Sequence, residues 1–373
     1  MTAVGSRAAL ATLVSLDGMG PARLRAVLVD RTPAEALAAV LGGDAPMAPP
    51  LGTVSPRCSR ELLQRWRSEA RGTDPHALLD AYAVAGYGVV MFGEAAYPAR
   101  LQHDPDPPLL LSIDGDLGRL SDRTVAIVGT RRCSRAGYDT AYRLGSDLAA
   151  AGVTVVSGLA AGIDAAAHRG AIDAHGAAPL AVAGTGLDVP YPRANRTLWR
   201  DVASAGALIS EAPLGARADR WRFPARNRII AAMAEVVIVV ESPARGGSMH
   251  TVDEADARSI DVLAVPGPVM ARNSEGTNAL LHEGRGVVRD ATDVLLALGS
   301  TAPVAEPVAS GLTGRSASEI AVLDAFEWEA VTADQLVLRT RLDVVEVCGI
   351  LDRLVAAGEV VTRSGWYERT MRA

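Results

Sequence analysis

Between about Gly86 and Leu298, short runs of β-branched and small apolar residues alternate with stretches of helical periodicity. The runs are 125–128, 153–156, 180–183, 207–210, 236–240 and 262–265, each nearly all apolar. A strand that is apolar on both sides is buried on both faces, and spacers of about ten or more residues leave room for crossover helices. The pattern predicts an α/β domain built on a doubly wound parallel sheet.

The flanks read differently. Before residue 85, apolar positions recur at helical spacing in Leu10, Leu13 and Val14, in Leu24, Val27 and Leu28, and in Leu62, Leu63 and Trp66. The stretch 42–57 carries four prolines and reads as a loop. Asp17-Gly18-Met19-Gly20-Pro21 has the form of a helix-hairpin-helix turn, whose glycine amides can face a phosphate. The same residues suit an ordinary turn between two helices, the reading we favour. After a Gly-, Pro- and Ala-rich linker at 299–315, the pattern is three helices (318–327, 333–339 and 343–357) and a hairpin across Ser364-Gly365, which predicts a winged helix. Its presumed recognition helix carries Asp343, Glu346 and Asp352 against Arg353 alone. Such a helix suits a protein partner, or its own chain, better than a phosphate-lined groove. The expected domains are therefore 1–85, a helical SAM or helix-hairpin-helix-like block; 86–298, a Rossmann-like domain; and 316–373, a winged helix.

Composition narrows the chemistry. The 373 residues carry a formal net charge of −6 and only 4% aromatics, so the cores rest on Ala, Val, Leu and Ile. Cys58, Cys133 and Cys348 are far apart and lack metal-ligand spacing, which fits a reducing cytoplasm with neither disulfide framework nor zinc site. No apolar stretch is long enough to span a bilayer. Against this acidic background, five arginines (217, 220, 222, 226 and 228) face a single acid, Asp219, and enclose Trp221 and Phe223. Guanidinium forks bind phosphates and aromatic faces stack on bases, the pairing that single-stranded nucleic acid requires.

The strand ends add to this. Gly129 to Gly137, Ser157 to His168, Gly184 to Arg193 and Ser242 to Thr251 are rich in glycine and small polar residues. None matches the dinucleotide fingerprint or the ATP-binding P-loop, but all place amides where helices begin. Asp164 and His168, four apart, read as a helix cap and a packed histidine rather than acid–base machinery. Glu211, Glu241 and Glu254 follow strands or share the rim without forming a metal cluster.

In order along the chain stand Gly129-Thr130-Arg131, Ser157-Gly158-Leu159-Ala160-Ala161-Gly162-Ile163-Asp164 with His168, and Gly186-Leu187-Asp188 with Tyr191-Pro192. Ser210-Glu211, Phe223-Pro224-Ala225-Arg226-Asn227-Arg228-Ile229-Ile230, Gly247-Ser248 with Thr251, and Val265-Pro266-Gly267 follow. This ordered set resembles the DNA-processing protein A family, also called DprA or Smf. Thr130 stands where the family often has Ser, and Thr251-Val252 where it usually has Thr-Ala. The resemblance implies an extended Rossmann-like domain that binds single-stranded DNA without catalysis or cofactor. It further implies protection of incoming DNA, loading of the RecA recombinase during natural transformation (competence), and self-association as a dimer in the cytoplasm. Carried over residue by residue, the DNA site comprises Arg131, Gly158, Arg193, Asn195, Trp221, Phe223, Arg226, Asn227, Arg228, Gly247 and Ser248. The alternative is a nucleotide-processing enzyme of the nucleoside-monophosphate phosphoribohydrolase kind, which would use the glycine loops. Its Gly-Gly-x-Gly-Thr-x-x-Glu loop is approximated by Gly246 to Glu254, one residue longer and lacking the second glycine position.

Overall fold

The computed structural model describes residues 3–42, 60–299, 315–326, 330–363 and 365–369. Nearly all of the expected loop at 42–57, Cys58, and all but the ends of the expected linker at 299–315 lie outside the described residues. The chain divides into two compact units, Met1–Val304 and Ala305–Ala373.

Among the described residues, the first unit opens with five helices: α1 (Ala3–Ser15), α2 (Pro21–Leu28), α3 (Pro33–Gly42), α4 (Arg60–Gly72) and α5 (Pro75–Val84). Local chemistry fixes their starts. Pro75 occupies the first turn of α5, where a missing N–H costs nothing, and the Asp74 carboxylate accepts from the His76 and Ala77 amides. Leu10, Leu13, Val14, Leu24, Val27 and Trp66 form one apolar core that also takes in Leu110 of the sheet. The apolar spacing in the sequence indicates α1, α2 and α4, whereas α3 and α5, rich in Ala and short, leave no such mark.

The sheet has nine strands. In chain order, with their helices, come β1 (Gly88–Met91), α6 (Ala99–Gln102), β2 (Leu110–Gly115), β3 (Thr124–Val128), α7 (Arg135–Ala150), β4 (Thr154–Ser157), α8 (Ile163–Asp173) and β5 (Leu180–Ala183). Next are α9 (Arg196–Ala205), β6 (Ala207–Ser210), α10 (Arg222–Ala232), β7 (Val236–Val239) and α11 (Met249–Asp256). The unit closes with β8 (Asp261–Ala264), α12 (Glu275–His282), β9 (Gly286–Val287) and α13 (Ala291–Ala297). Spatial order is β1-β2-β6-β5-β4-β3-β7-β8-β9. From β6 to β9 every neighbouring pair is parallel. The expectation of a wholly parallel sheet needs one correction: β2 joins β6, and β1 joins β2, in antiparallel register. An antiparallel strand can extend a sheet edge without the crossover helix that a parallel one demands.

Alternate residues of β3 explain the double winding. Val125 and Ile127 face a core with Leu144, Leu148, Ile163 and Val294, whereas Ala126 and Val128 face a second core with Ile229, Ile230, Val252 and Leu280. On the first face α7 and α8 lie very close, because a Cβ at Gly145 or Gly170 would overlap the backbone of the opposite helix. Strand order reverses at β3, between β4 and β7, and the carboxyl ends of strands around such a reversal leave a crevice.

The second unit contains α14 (Ala317–Asp324), β10 (Val331–Thr332), α15 (Ala333–Thr340), α16 (Val344–Ala356), β11 (Val360–Arg363) and β12 (Trp366–Arg369). Its small antiparallel sheet is ordered β10-β12-β11. Phe326, Leu336, Ile350, Leu351 and Leu354 are buried in its core, and Thr332 with Gln335 forms a capping box that starts α15.

Candidate nucleic-acid interface

The crevice at the strand reversal is a cavity of about 530 Å³. Three elements supply most of its chemistry. The loop after β3 brings Thr130, Arg131 and Arg132; the buried start of α8 brings Asp164; and α10 brings Phe223, Arg226 and Asn227 along one helical face. Gly246, Gly247 and Ser248, just before α11, form another wall together with Arg272 and Asn273. Amides ahead of a helix and unpaired guanidinium groups together suit a phosphate chain.

Arg226 is the deepest cation lining the cavity. It is 7% exposed, its Nη1 donates to the Val182 carbonyl at 2.6 Å, and its buried Nε has no hydrogen-bond partner. Burial pulls its pKa down to about 10, opposed by the nearby Asp164 carboxylate and reinforced by Arg131, so the group stays cationic at neutral pH. Burial raises the Asp164 carboxyl, against the pull of Arg226 and of the Ala160 amide, which donates to Oδ2 at 3.3 Å. Gly158 leaves the space that Arg226 fills: a Cβ there would overlap the guanidinium. At the mouth, the exposed Arg131 lies over the Phe223 ring, 4.9 Å from its centroid, and Phe223 in turn leans on Tyr191 with centroids 5.3 Å apart. That cation–π contact orients Arg131 without neutralising it.

Of the residues carried over from the family, Arg131, Phe223, Arg226, Asn227, Gly247 and Ser248 line the cavity, with Gly158 directly behind Arg226. The others lie elsewhere. Asn195 is buried and donates from Nδ2 to the Leu159 carbonyl at 2.9 Å, bracing the glycine loop from below. Arg193 is exposed in the short turn before α9, outside the cavity lining. Trp221 lies over Gly20 in the turn between α1 and α2, close enough that a Cβ on that glycine would come within 3.3 Å of the ring. With the Trp66 indole donating to the Asp17 carbonyl at 2.7 Å, this covers the turn that resembled a helix-hairpin-helix and favours an ordinary interhelical turn. Arg228, finally, is engaged with acids on the far side of α10.

The helix explains that separation. α10 spans Arg222–Ala232, so Arg222, Phe223, Arg226 and Arg228 of the arginine–aromatic motif are helical, while Arg217, Arg220 and Trp221 precede the helix. Residues two apart on a helix point about 200° away from each other. Arg226 and Arg228 therefore cannot serve the same pocket. Arg132, Arg272 and Asn273 were not among the expected site residues. The signal was present, since Arg272 follows β8 through Pro266-Gly267-Pro268, another strand-end loop. His168 sits wholly buried, and burial lowers its pKa to about 4, leaving it neutral at physiological pH. Glu254 forms an ion pair with Arg258 and is absent from the cavity lining, which removes the carboxylate that the hydrolase alternative needs. Among the described residues, no group of three or more His, Cys, Asp or Glu is placed to hold a metal, and no helix is long and apolar enough to cross a membrane.

A doubly wound sheet with a basic, amide-lined crevice at its strand reversal defines a Rossmann-like α/β protein. The family model for DNA recombination-mediator protein A matches residues 88–299, and the chain belongs to that family. It is 38% identical over 281 residues to a putative DNA processing protein DprA of Mycobacterium tuberculosis, covering 74% of this chain and 72% of that protein. Over 247 residues it is 38% identical to the Smf protein of Synechocystis, covering 64% of this chain and 61% of that relative. The crystallographic structure of DNA processing protein A from Streptococcus pneumoniae matches with a TM-score of 0.60 at 31% identity, over 76% of this chain and 95% of that one. A structure of the Helicobacter pylori protein, concerned with its single-stranded DNA binding mode, matches with a TM-score of 0.52 at 28% identity, over 57% of this chain and 95% of that one.

Proposed function

We propose that this chain is a recombination mediator that binds single-stranded DNA in the cavity at the strand reversal, without catalysis. The observation that carries the reading is the convergence of Arg131 stacked on Phe223, the buried Arg226 and the Gly247 and Ser248 wall on one cavity. Phosphates would meet the guanidinium groups and amides, and a base would stack on Phe223 or Tyr191. The binding mode described for the Helicobacter pylori relative supports the choice of single strands. Protection of incoming DNA, delivery to the RecA recombinase, self-association as a dimer and a cytoplasmic setting complete the proposal.

The second unit belongs to it as a winged helix that meets a protein partner. Leu338, Val344 and Val345 are exposed on α15 and α16, beside Asp343, Glu346 and Asp352. On α16 and its cap three exposed acids stand against one exposed arginine, Arg353, a balance poorly suited to a phosphate backbone.

The test is fluorescence anisotropy with a labelled oligonucleotide, single- and double-stranded, across a salt series. Neutralising about four phosphates predicts a preference for the single strand and a slope of about −3 in log affinity against log salt. No binding, or no preference for single strands, would overturn the reading.

A further inference from the structure

Glu241 stands two residues past the end of β7, between the loops that carry Arg131, Arg132 and Arg272, yet among the described residues it pairs with none of these arginines. Its Oε2 accepts from the Ser134 amide at 2.8 Å and from Asn273 Nδ2 at 3.4 Å, and its Oε1 accepts from the Ser134 hydroxyl. Asn273 Nδ2 also donates to the Arg132 carbonyl at 2.8 Å. The backbone completes the knot: the Thr130 amide donates to the Glu241 carbonyl, and the Ser242 amide to the Asn273 carbonyl, each at 2.7 Å. Gly137 leaves the room, since a Cβ there would overlap the Glu241 carboxylate.

Every side-chain donor to that carboxylate is neutral. Arg131, Arg132 and Arg272, all exposed, make no ion pair among the described residues. A carboxylate so placed would ordinarily capture a guanidinium and lower the charge of the cavity mouth. Here three of its roughly four lone-pair sites are already committed to an amide, a hydroxyl and a carboxamide.

We propose that Glu241 is the positioning residue of the cavity, fastening the Arg131–Arg132 loop to the Arg272–Asn273 loop so that Arg272 joins the nucleic-acid site. The inference rests on the single-strand binding reading above. Coulomb's law and positioning predict opposite signs when the carboxylate is removed. Loss of a negative charge beside a phosphate chain should tighten binding; loss of the fastening should release Arg131, Arg132 and Arg272 from register.

The experiment compares the full chain with Glu241→Ala, Glu241→Gln and Arg272→Ala, by anisotropy with a single-stranded oligonucleotide across a salt series and by thermal melting. Glu241→Ala should bind about tenfold more weakly, although it removes a negative charge. Its salt slope should be shallower by about one phosphate's worth, ~0.7. Glu241→Gln keeps an acceptor for the Ser134 amide and a donor for its hydroxyl, and should remain within about threefold of the original chain. Arg272→Ala should lose a similar ~0.7 in slope with an unchanged melt. Binding by Glu241→Ala as tight as, or tighter than, the original chain would overturn the inference, as would an unchanged slope in Arg272→Ala. If Glu241→Ala melts much lower, Arg272→Ala and Glu241→Gln decide the question, because both keep the fastening. Failure of the unsubstituted chain to bind at all would instead overturn the single-strand reading, and the inference with it.

Discussion

Arg228 and Glu211 meet in a two-pronged ion pair, with Nη2 at 2.5 and 2.6 Å from the two carboxylate oxygens. Arg228 is 4% exposed and also reaches Asp106, through Nη1 to its carbonyl at 2.6 Å and Nε to Oδ2 at 3.3 Å. Arg25 of α2 joins the same Asp106 carboxylate. What reads in the sequence as a phosphate-binding arginine is thus the hub of a network joining α10, β6 and the N-terminal helices.

Arg228→Ala should therefore act first on stability. It leaves Glu211, whose carboxyl burial raises, without its counter-charge, a loss of about 3–5 kcal/mol for a broken buried pair. Thermal or urea unfolding should register the loss. A normal melt with abolished DNA binding would reverse the assignment of this side chain.

Arg131 and Arg226 should behave differently from Arg228 and from each other. Arg131 is exposed, so Arg131→Ala should melt normally while weakening single-strand affinity and reducing the salt slope by about 0.7. Arg226→Ala should weaken affinity at least as much, uniformly across sequences, but with a lower melt, because Asp164 stays buried without its main cationic neighbour. Wild-type affinity in both would remove the cavity from the binding site.

The two aromatic rings of the motif divide in the same way. Phe223→Leu should cost binding about 1–3 kcal/mol if a base stacks there, since a branched chain keeps the volume but offers no π-face. Trp221→Ala should leave affinity close to normal and lower the melt through lost packing against Gly20. Titration of both variants with one oligonucleotide, alongside their melts, separates the roles.

His168 gives the fold a pH dependence. Its folded pKa of about 4 lies below the ordinary 6.5, so between those values the unfolded chain binds the proton that the folded chain refuses. Its contribution is fully present above about pH 6.5 and is lost as pH falls toward 4, reaching about 3 kcal/mol. Glu211 and Asp164, raised by burial, oppose this trend in acid. The difference in stability between the original chain and His168→Gln, measured by urea melts from pH 7 to 4, isolates the histidine. A difference that stays constant with pH would refute the assignment.

By itself the sequence determined the parallel core. Runs such as Val236 to Val239 are apolar at every position, and only a strand covered on both faces uses such a run. The glycine-rich strand ends, and with them the neighbourhood of the site, were legible for the same local reason. Strands β1 and β2 were not, because their four and six partly exposed residues acquire strand character only by pairing, β2 with β6 about a hundred residues onward and β1 with β2. The tertiary structure alone decided which arginines face the cavity. Arg226 and Arg228 are nearly indistinguishable in one dimension, but helical rotation sends one to the cavity and the other to acids 17 and 122 residues away. Trp221, Asn195 and Glu241 follow the same rule: each is defined by a partner remote in the chain, and charge and aromaticity become function only when packing fixes what they face.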